Sequence, residues 1–379
     1  MTEHVCPSLR DLYAGRIFPK DQFNAYRNMQ AYFPVRHIQR GNGDVRPLPK
    51  SQYSIDDLTF ESAGQSYDLV DYVSRNRVAG LLVLKQGETV FENYEYGCDQ
   101  QTRWMSMSMA KSISTTLVGV AIEQGHIESI NDPLVKYLPR LAKGVYADVT
   151  VRQLMLMASG VEWLEDQTNP DSHRRQVLDL QLAQQSGSIL SYMSELPRVA
   201  SVGSSWNYST GETHVVGELI KAATGRWLSD YLSETIWSRL GMESDAYWWL
   251  EADDGLEIAG SGVGATLRDY GRFGLFVQNG GVIDGEQVLP SWWLPEAAGP
   301  TLIGNQLVPY GYMWWTVPDG DPADRAFAAR GIFGQRLYIN PAQELVIVVW
   351  SARSKPMGDE PIKDNDFFNA VNNALKSEK

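Results

Sequence analysis

Ser108 and Lys111 stand three residues apart in Ser108-Met109-Ala110-Lys111, at the start of an apolar run from Ile113 to Ile122. On a helix, residues at this spacing share one face, with Cβ atoms roughly 5–6 Å apart. A lysine amine can then sit beside the serine hydroxyl and act either as its proton acceptor or as the electrostatic partner of another base. A serine in the first helical turn also has unpaired backbone N–H groups and the positive end of the helix dipole nearby, both suited to a developing oxyanion. The plain alternative is a surface serine and lysine on an ordinary helix, since chance supplies roughly one Ser-x-x-Lys in a chain of this length. Two further stretches carry chemistry-bearing residues, Trp206-Asn207-Tyr208-Ser209-Thr210 and Ala329-Arg330-Gly331-Ile332-Phe333-Gly334-Gln335. Taken alone, Tyr208 reads as a packed core tyrosine, and the glycines of the second stretch as a bulge or close strand packing.

The elements that would position these residues can be read from periodicity and punctuation. The helix from Ser108 ends at Gln124-Gly125, where glycine serves as the C-cap. Val78–Leu84 and Thr89–Tyr96 are β-rich runs joined by Lys85-Gln86-Gly87-Glu88, and Arg336–Asn340 and Leu345–Ala352 form a second hairpin. Helices are expected over Tyr67–Arg75, Val151–Ala158 behind an N-cap at Thr150, Arg175–Gln185, Ile189–Leu196, Glu212–Ala223, Trp227–Leu240, Thr266–Gln278 and Phe367–Leu375. Tyr310–Val317 and Phe327–Gly331 read as strands, and Gly260-Ser261-Gly262-Val263-Gly264 as a flexible turn. Strands at both ends of a chain usually share one antiparallel sheet with the intervening helices packed on it. The fold class is therefore α+β, a central antiparallel sheet flanked by helices with an inserted helical lobe and a cleft between them. The expected division is an extension over residues 1–52, an α/β sheet domain from 53–145 and 260–379, and a mainly helical lobe over 146–259. Residues 1–52, with Pro19, Pro34, Pro47 and Pro49, show little periodicity. They read as a segment that wraps the surface or reaches a neighbouring subunit.

At 379 residues the chain has ample length to bury a large core. Lys+Arg number 33 against 46 Asp+Glu, a net charge of −13, which argues against nucleic acid or an anionic membrane as partner. Cys6 and Cys98 make no disulfide framework and fit no metal spacing, which points to a reducing compartment. Residues 1–25 lack the apolar core of an export signal, and no run of eighteen apolar residues occurs. A cytoplasmic protein with no metal and no cofactor is expected. There is no Gly-x-Ser-x-Gly elbow, and none of His4, His37, His126, His173 or His214 sits in a recognisable triad motif.

Taken in order, Ser108-Met109-Ala110-Lys111, Tyr208-Ser209-Thr210 and Ala329-Arg330-Gly331 resemble the serine β-lactamase and penicillin-recognising superfamily. Within it they are similar to class C-like esterases and 6-aminohexanoate-dimer hydrolases. Connecting phrases agree, among them Asp132-Pro133-Leu134 through Leu138-Pro139 and Thr266-Leu267-Arg268-Asp269-Tyr270-Gly271. The resemblance covers roughly residues 75–352. It implies that Ser108 is the acyl-accepting nucleophile with Lys111 beside it. Tyr208 would be a proton shuttle that helps deprotonate Ser108 and later protonates the leaving group. The backbone N–H groups of Ser108 and Ile332 would hold the oxyanion, a contribution of roughly 3–4 kcal/mol per donor. Gly331, Ala329, Thr210 and Trp315 would contact substrate. A neighbouring ammonium is expected to lower the Tyr208 pKa.

The departures from the family pattern narrow the substrate. Where β-lactamases carry Lys-Thr-Gly or His-Thr-Gly, this chain has Ala329-Arg330-Gly331, and where they carry Tyr-x-Asn it has Tyr208-Ser209-Thr210. Adjacent strand residues point to opposite faces, so Arg330 faces away if position 329 faces the cleft. The leading expectation is a serine esterase or amidase acting on a small ester or linear amide through an acyl-enzyme. A residual β-lactamase or D-amino-acid peptidase is the second, and a non-catalytic binding or scaffold protein the third. A small-molecule partner is expected, with no nucleic acid or membrane, and a homodimer is left open.

Overall fold

The computed structural model of the chain describes residues 8–317 and 319–376. Its main sheet has six antiparallel strands in the order Trp315–Thr316, Phe327–Gly331, Gln335–Asn340, Leu345–Ser351, Val78–Lys85 and Glu88–Tyr94. Both hairpins read from the sequence are present, and Leu345–Ser351 pairs with Val78–Lys85, so strands from the two halves of the chain close one sheet. This is the α+β arrangement expected from strands lying at either end.

Alternate residues of each strand feed two separate cores. Leu82, Leu84, Ala329, Leu337, Val346 and Val348 pack with the helices Met109–Glu123 and Leu267–Gln278 on one face. Leu81, Val83, Ala328, Tyr338, Ile347 and Val349 pack with Phe367, Phe368 and Val371 of the Asp364–Ala374 helix on the other. Because both faces are covered, Val78–Lys85 and Leu345–Ser351 are buried throughout their length. The Met109–Glu123 helix is buried at every position from Met109 to Ala121, and its polar side chains are satisfied within the fold: Ser112 donates to the Met313 carbonyl, Ser114 to the Ala259 carbonyl and Thr116 to the Ser112 carbonyl.

A second, four-stranded sheet places Val35–Ile38, Ala246–Trp249, Val263–Ala265 and Trp104–Met105 side by side. The N-terminal region therefore differs from the surface wrapping expected of it. Leu9–Tyr13 and Pro19–Arg27 are helices, Val35–Ile38 pairs with Ala246–Trp249, and Leu12, Tyr26, Met29 and Ile38 are fully buried. Pro19 misleads as a breaker because it occupies the first helical turn, where its missing N–H costs nothing.

Other departures have local causes. Asp68 ends a strand, Gln65–Asp68, and its carboxylate caps Leu69–Arg75, so the helix expected from Tyr67 begins two residues later. Of the strand expected over Tyr310–Val317, only Trp315–Thr316 forms, because Met313 adopts a left-handed φ of 60°. The helix expected over Trp227–Leu240 stops at Thr235 and resumes as a short 3-10 turn, Trp237–Arg239. Cys6 lies outside the described residues, and Cys98 is a free thiol.

Candidate active site

Met105 ends a strand paired to Val263–Ala265, and the chain must turn sharply to enter the Met109–Glu123 helix. It does so through Met107, a buried non-glycine residue at φ 47°, a left-handed conformation that costs about 1 kcal/mol or more. Ser106 holds the turn. Its hydroxyl donates to the Met107 carbonyl at 3.0 Å and accepts from the Val263 N–H at 3.2 Å. The turn delivers Ser108 to a small cleft that is lined also by Met107, Thr210, Gly260, Ser261 and Ile332.

Behind Ser108, the Lys111 amine lies 2.9 Å from the Ser108 hydroxyl and 2.9 Å from the Gly260 carbonyl. Gly260 permits this approach, since a Cβ there would lie 2.9 Å from the Thr210 methyl and 3.4 Å from the amine itself. Lys111 is almost wholly buried, and that burial pushes its pKa down from 10.5 to about 7. The Glu165 charge opposes the fall, and Arg174 adds to it. At neutral pH a large share of the amine is thus unprotonated and able to take the serine proton.

Tyr208 completes this group. The Lys111 nitrogen is 5.1 Å from the Tyr208 ring centre. Burial raises the phenol pKa, Glu165 raises it further, and the Ser108 hydroxyl works in the opposite direction. The expected lowering by an ammonium is therefore corrected. Desolvation outweighs it, and Tyr208 keeps its proton.

Ile332 lines the cavity beside Ser108. It is held there by a reversal of the chain at Phe333 (φ 62°) and Gly334 (φ 89°), with the Phe333 N–H bonded to the Pro356 carbonyl at 3.0 Å. Gly331 allows the strand end to press against the serine turn. A Cβ at this position would lie 2.7 Å from the Ser106 carbonyl and 2.9 Å from the Met107 Cβ. Trp315 packs against Tyr208 with ring centres 5.7 Å apart, in an aromatic wall with Tyr310 and Trp206.

Two of the expected substrate contacts are otherwise engaged. The Ala329 side chain is buried in the core beneath the Met109–Glu123 helix and is not part of the cavity wall. Thr210 does line the cavity, but its hydroxyl donates to Glu165 at 2.6 Å. Arg330 turns to the other face of the sheet, as strand alternation requires, and donates to Asn365 of the C-terminal helix at 3.3 Å.

Sequence reasoning missed Glu165, Arg174, Gln167 and Tyr13, all of which line the cavity. Glu165 and Arg174 lie in a stretch without periodicity, and no motif marks them. Gly260 and Ser261 had a signal, because a glycine cluster also marks a close backbone approach. Among the described residues, no cluster of three or more His, Cys, Asp or Glu side chains is positioned to hold a metal ion.

This geometry can be set beside known proteins. The β-lactamase family model matches residues 69–367. The chain belongs to the β-lactamase family, a family of serine hydrolases. It is 27% identical over 305 residues to a 6-aminohexanoate-dimer hydrolase of Paenarthrobacter ureafaciens, covering 76% of each. Among solved structures, one from Bacillus anthracis assigned as a 6-aminohexanoate-dimer hydrolase superposes with a TM-score of 0.81 at 24% identity, over 97% of this chain and 96% of the other. A family VIII carboxylesterase superposes with a TM-score of 0.62 at 17% identity, over 81% and 95%. The chain is a hydrolase of the β-lactamase fold, related to a 6-aminohexanoate-dimer hydrolase. No helix among the described residues is long and apolar enough to cross a membrane.

Proposed function

We propose that this hydrolase acts through an acyl-enzyme on small carboxylic esters or linear amides. Ser108 is the nucleophile. The observation that carries this reading is the Lys111 amine, 2.9 Å from the Ser108 hydroxyl with its pKa pushed to about 7. Lys111 accepts the serine proton as Oγ attacks the substrate carbonyl. The backbone N–H groups of Ser108 and Ile332, two residues that line one cavity, receive the oxyanion. Tyr208, kept protonated by burial, passes a proton to the departing alkoxide or amine. Lys111, now an ammonium beside Tyr208, restores that proton. Water then releases the acid by the reverse path.

Support for esters and linear amides comes from the relatives that bear those names and from Ala329, which leaves the strand position used by β-lactamases for a cation without one. A fluorophosphonate probe is expected to label the wild-type protein and not Ser108→Ala. Equal labelling of both would remove Ser108 from its role.

A further inference from the structure

The peptide that joins Gly331 to Ile332 is gripped from behind by a charged side chain. Arg336 Nη1 donates to the Gly331 carbonyl at 2.9 Å and to the Gln335 carbonyl at 2.9 Å. The guanidinium is itself held, because its Nε lies 2.7 Å from Asp364 Oδ2, with side-chain exposures of 15% and 3%. Asp364 opens the C-terminal helix and also accepts from the Tyr72 hydroxyl at 2.8 Å and from Arg353. Arg336 is thus a fixed fork between that helix and the end of strand Phe327–Gly331. It stands on the face of the sheet turned away from the Met109–Glu123 helix.

The peptide is trans, and a trans amide points its C=O and N–H in opposite directions. With the Gly331 carbonyl drawn back to Arg336, the Ile332 N–H is turned forward, to the side where Gly331 presses on the Ser106 carbonyl and Met107. A hydrogen bond from a charged donor is roughly twice as strong as a neutral one. It also polarises the amide, which makes the N–H at the other end a stronger donor. The strand pair itself does not call for a cation here. Arg336 lies directly opposite Arg330, and like charges so placed are destabilising. Burial, with the Arg336 charge adding to it, pushes the Arg330 pKa down to about 10. Asp364 has a second cation in Arg353, so its charge does not depend on Arg336 alone.

We propose that Arg336 is a positioning residue for acyl transfer, which aims and polarises the Ile332 N–H towards the oxyanion through the Gly331 carbonyl. This rests on the acyl-enzyme reading, in which Ile332 is one of two oxyanion donors. Arg336 touches no substrate and moves no proton. Its effect falls on the tetrahedral state, whose oxygen carries a charge, and hardly on the bound ester, whose carbonyl does not.

The test compares the full-length wild type with Arg336→Gln, Arg336→Lys and Tyr72→Phe. Each is measured in stopped-flow acylation by p-nitrophenyl butyrate and in binding of butylboronic acid, whose serine adduct is a tetrahedral anion. Arg336→Gln should slow saturated acylation by at least about tenfold, short of the hundredfold or more that follows loss of a whole oxyanion donor. Half-saturation by the ester should move less than about twofold, and boronate affinity should fall in step with the rate. Arg336→Lys should lie between wild type and Arg336→Gln, because an ammonium keeps the charge but not the planar fork. Tyr72→Phe loosens Asp364 without touching the peptide, so it should lower the melting temperature and leave acylation at the wild-type rate. An unchanged rate in Arg336→Gln, a loss carried by half-saturation, an unmoved boronate affinity, or an equal fall in Tyr72→Phe would overturn the proposal. If Arg336→Gln does not fold, Arg336→Lys decides, since a wild-type rate and boronate affinity in that variant would overturn it too. A wild type that forms no adduct on Ser108 would remove the acyl-enzyme reading and the role of Arg336 with it. Ser108 adducts in wild type and unaffected variants alike would remove the role of Arg336 alone.

Discussion

Lys111 is the side chain whose chemistry depends most on its surroundings. Its ordinary pKa is 10.5, and burial takes it to about 7. Acylation by a neutral amine base should therefore rise with pH through about 7 and level off above it, as stopped-flow release of p-nitrophenol would report. A profile that is flat between pH 5.5 and 8.5 would assign the proton to another group. The same shift bears on stability. Between pH 7 and 10.5 the unfolded chain binds more protons than the folded one, so the destabilisation from Lys111 is greatest below pH 7 and fades towards 10.5. Relative to wild type, the melting temperature of Lys111→Met should be more favourable by several degrees at pH 6 than at pH 9. Tyr208→Phe and Lys111→Ala should each lower acylation by about a hundredfold or more. The double variant should be little worse than either, because both serve one proton path.

At the scale of elements, the helix Thr210–Thr224 carries a local conflict. Ser209 caps it by accepting from the Glu212 N–H, yet the Glu212 side chain is buried. It receives the Ser159 hydroxyl on one oxygen and, among the described residues, has no partner on the other. Burial raises its pKa from 4.5 to about 8. Here the folded state holds the extra proton, so stability from this group is present below pH 4.5 and is lost as the pH climbs to about 8. Glu212→Gln should raise the melting temperature, and by more at pH 8 than at pH 5. Equal gains at both would mean that Glu212 is ionised in the folded protein. Helices of this kind were legible in the sequence where caps mark them. Thr150 caps its helix in a full capping box, and Gly125 and Gly225 follow helix ends with positive φ. What could not be read is the pairing of Glu165 with Arg174. Their contact depends on a loop closed by His173, and charges that meet through a loop leave no period in the chain.

For the molecule as a whole, the two hairpins followed from β-rich runs joined by turn residues, their union in one sheet from strands lying at both ends of the chain, and the serine–lysine pair from its spacing. The N-terminal region did not, because its apolar residues serve short elements held by tertiary contacts. Tyr26 packs edge-on against Trp104 at 5.4 Å, Phe33 against Trp249 at 4.8 Å, and Trp249 Nε1 donates to the Met29 carbonyl at 2.8 Å. Trp104 opens the strand that leads into the serine turn. Removing residues 1–40 should therefore abolish cooperative thermal unfolding. Retention of a sharp calorimetric transition in the truncated chain would show that the segment is dispensable to the body. The most direct test of the central claim is intact-mass spectrometry of protein quenched within its first turnovers of p-nitrophenyl butyrate. The account predicts one added butyryl group on the peptide bearing Ser108, absent from Ser108→Ala. Turnover of the ester with no covalent adduct, or an adduct on another residue, would contradict it.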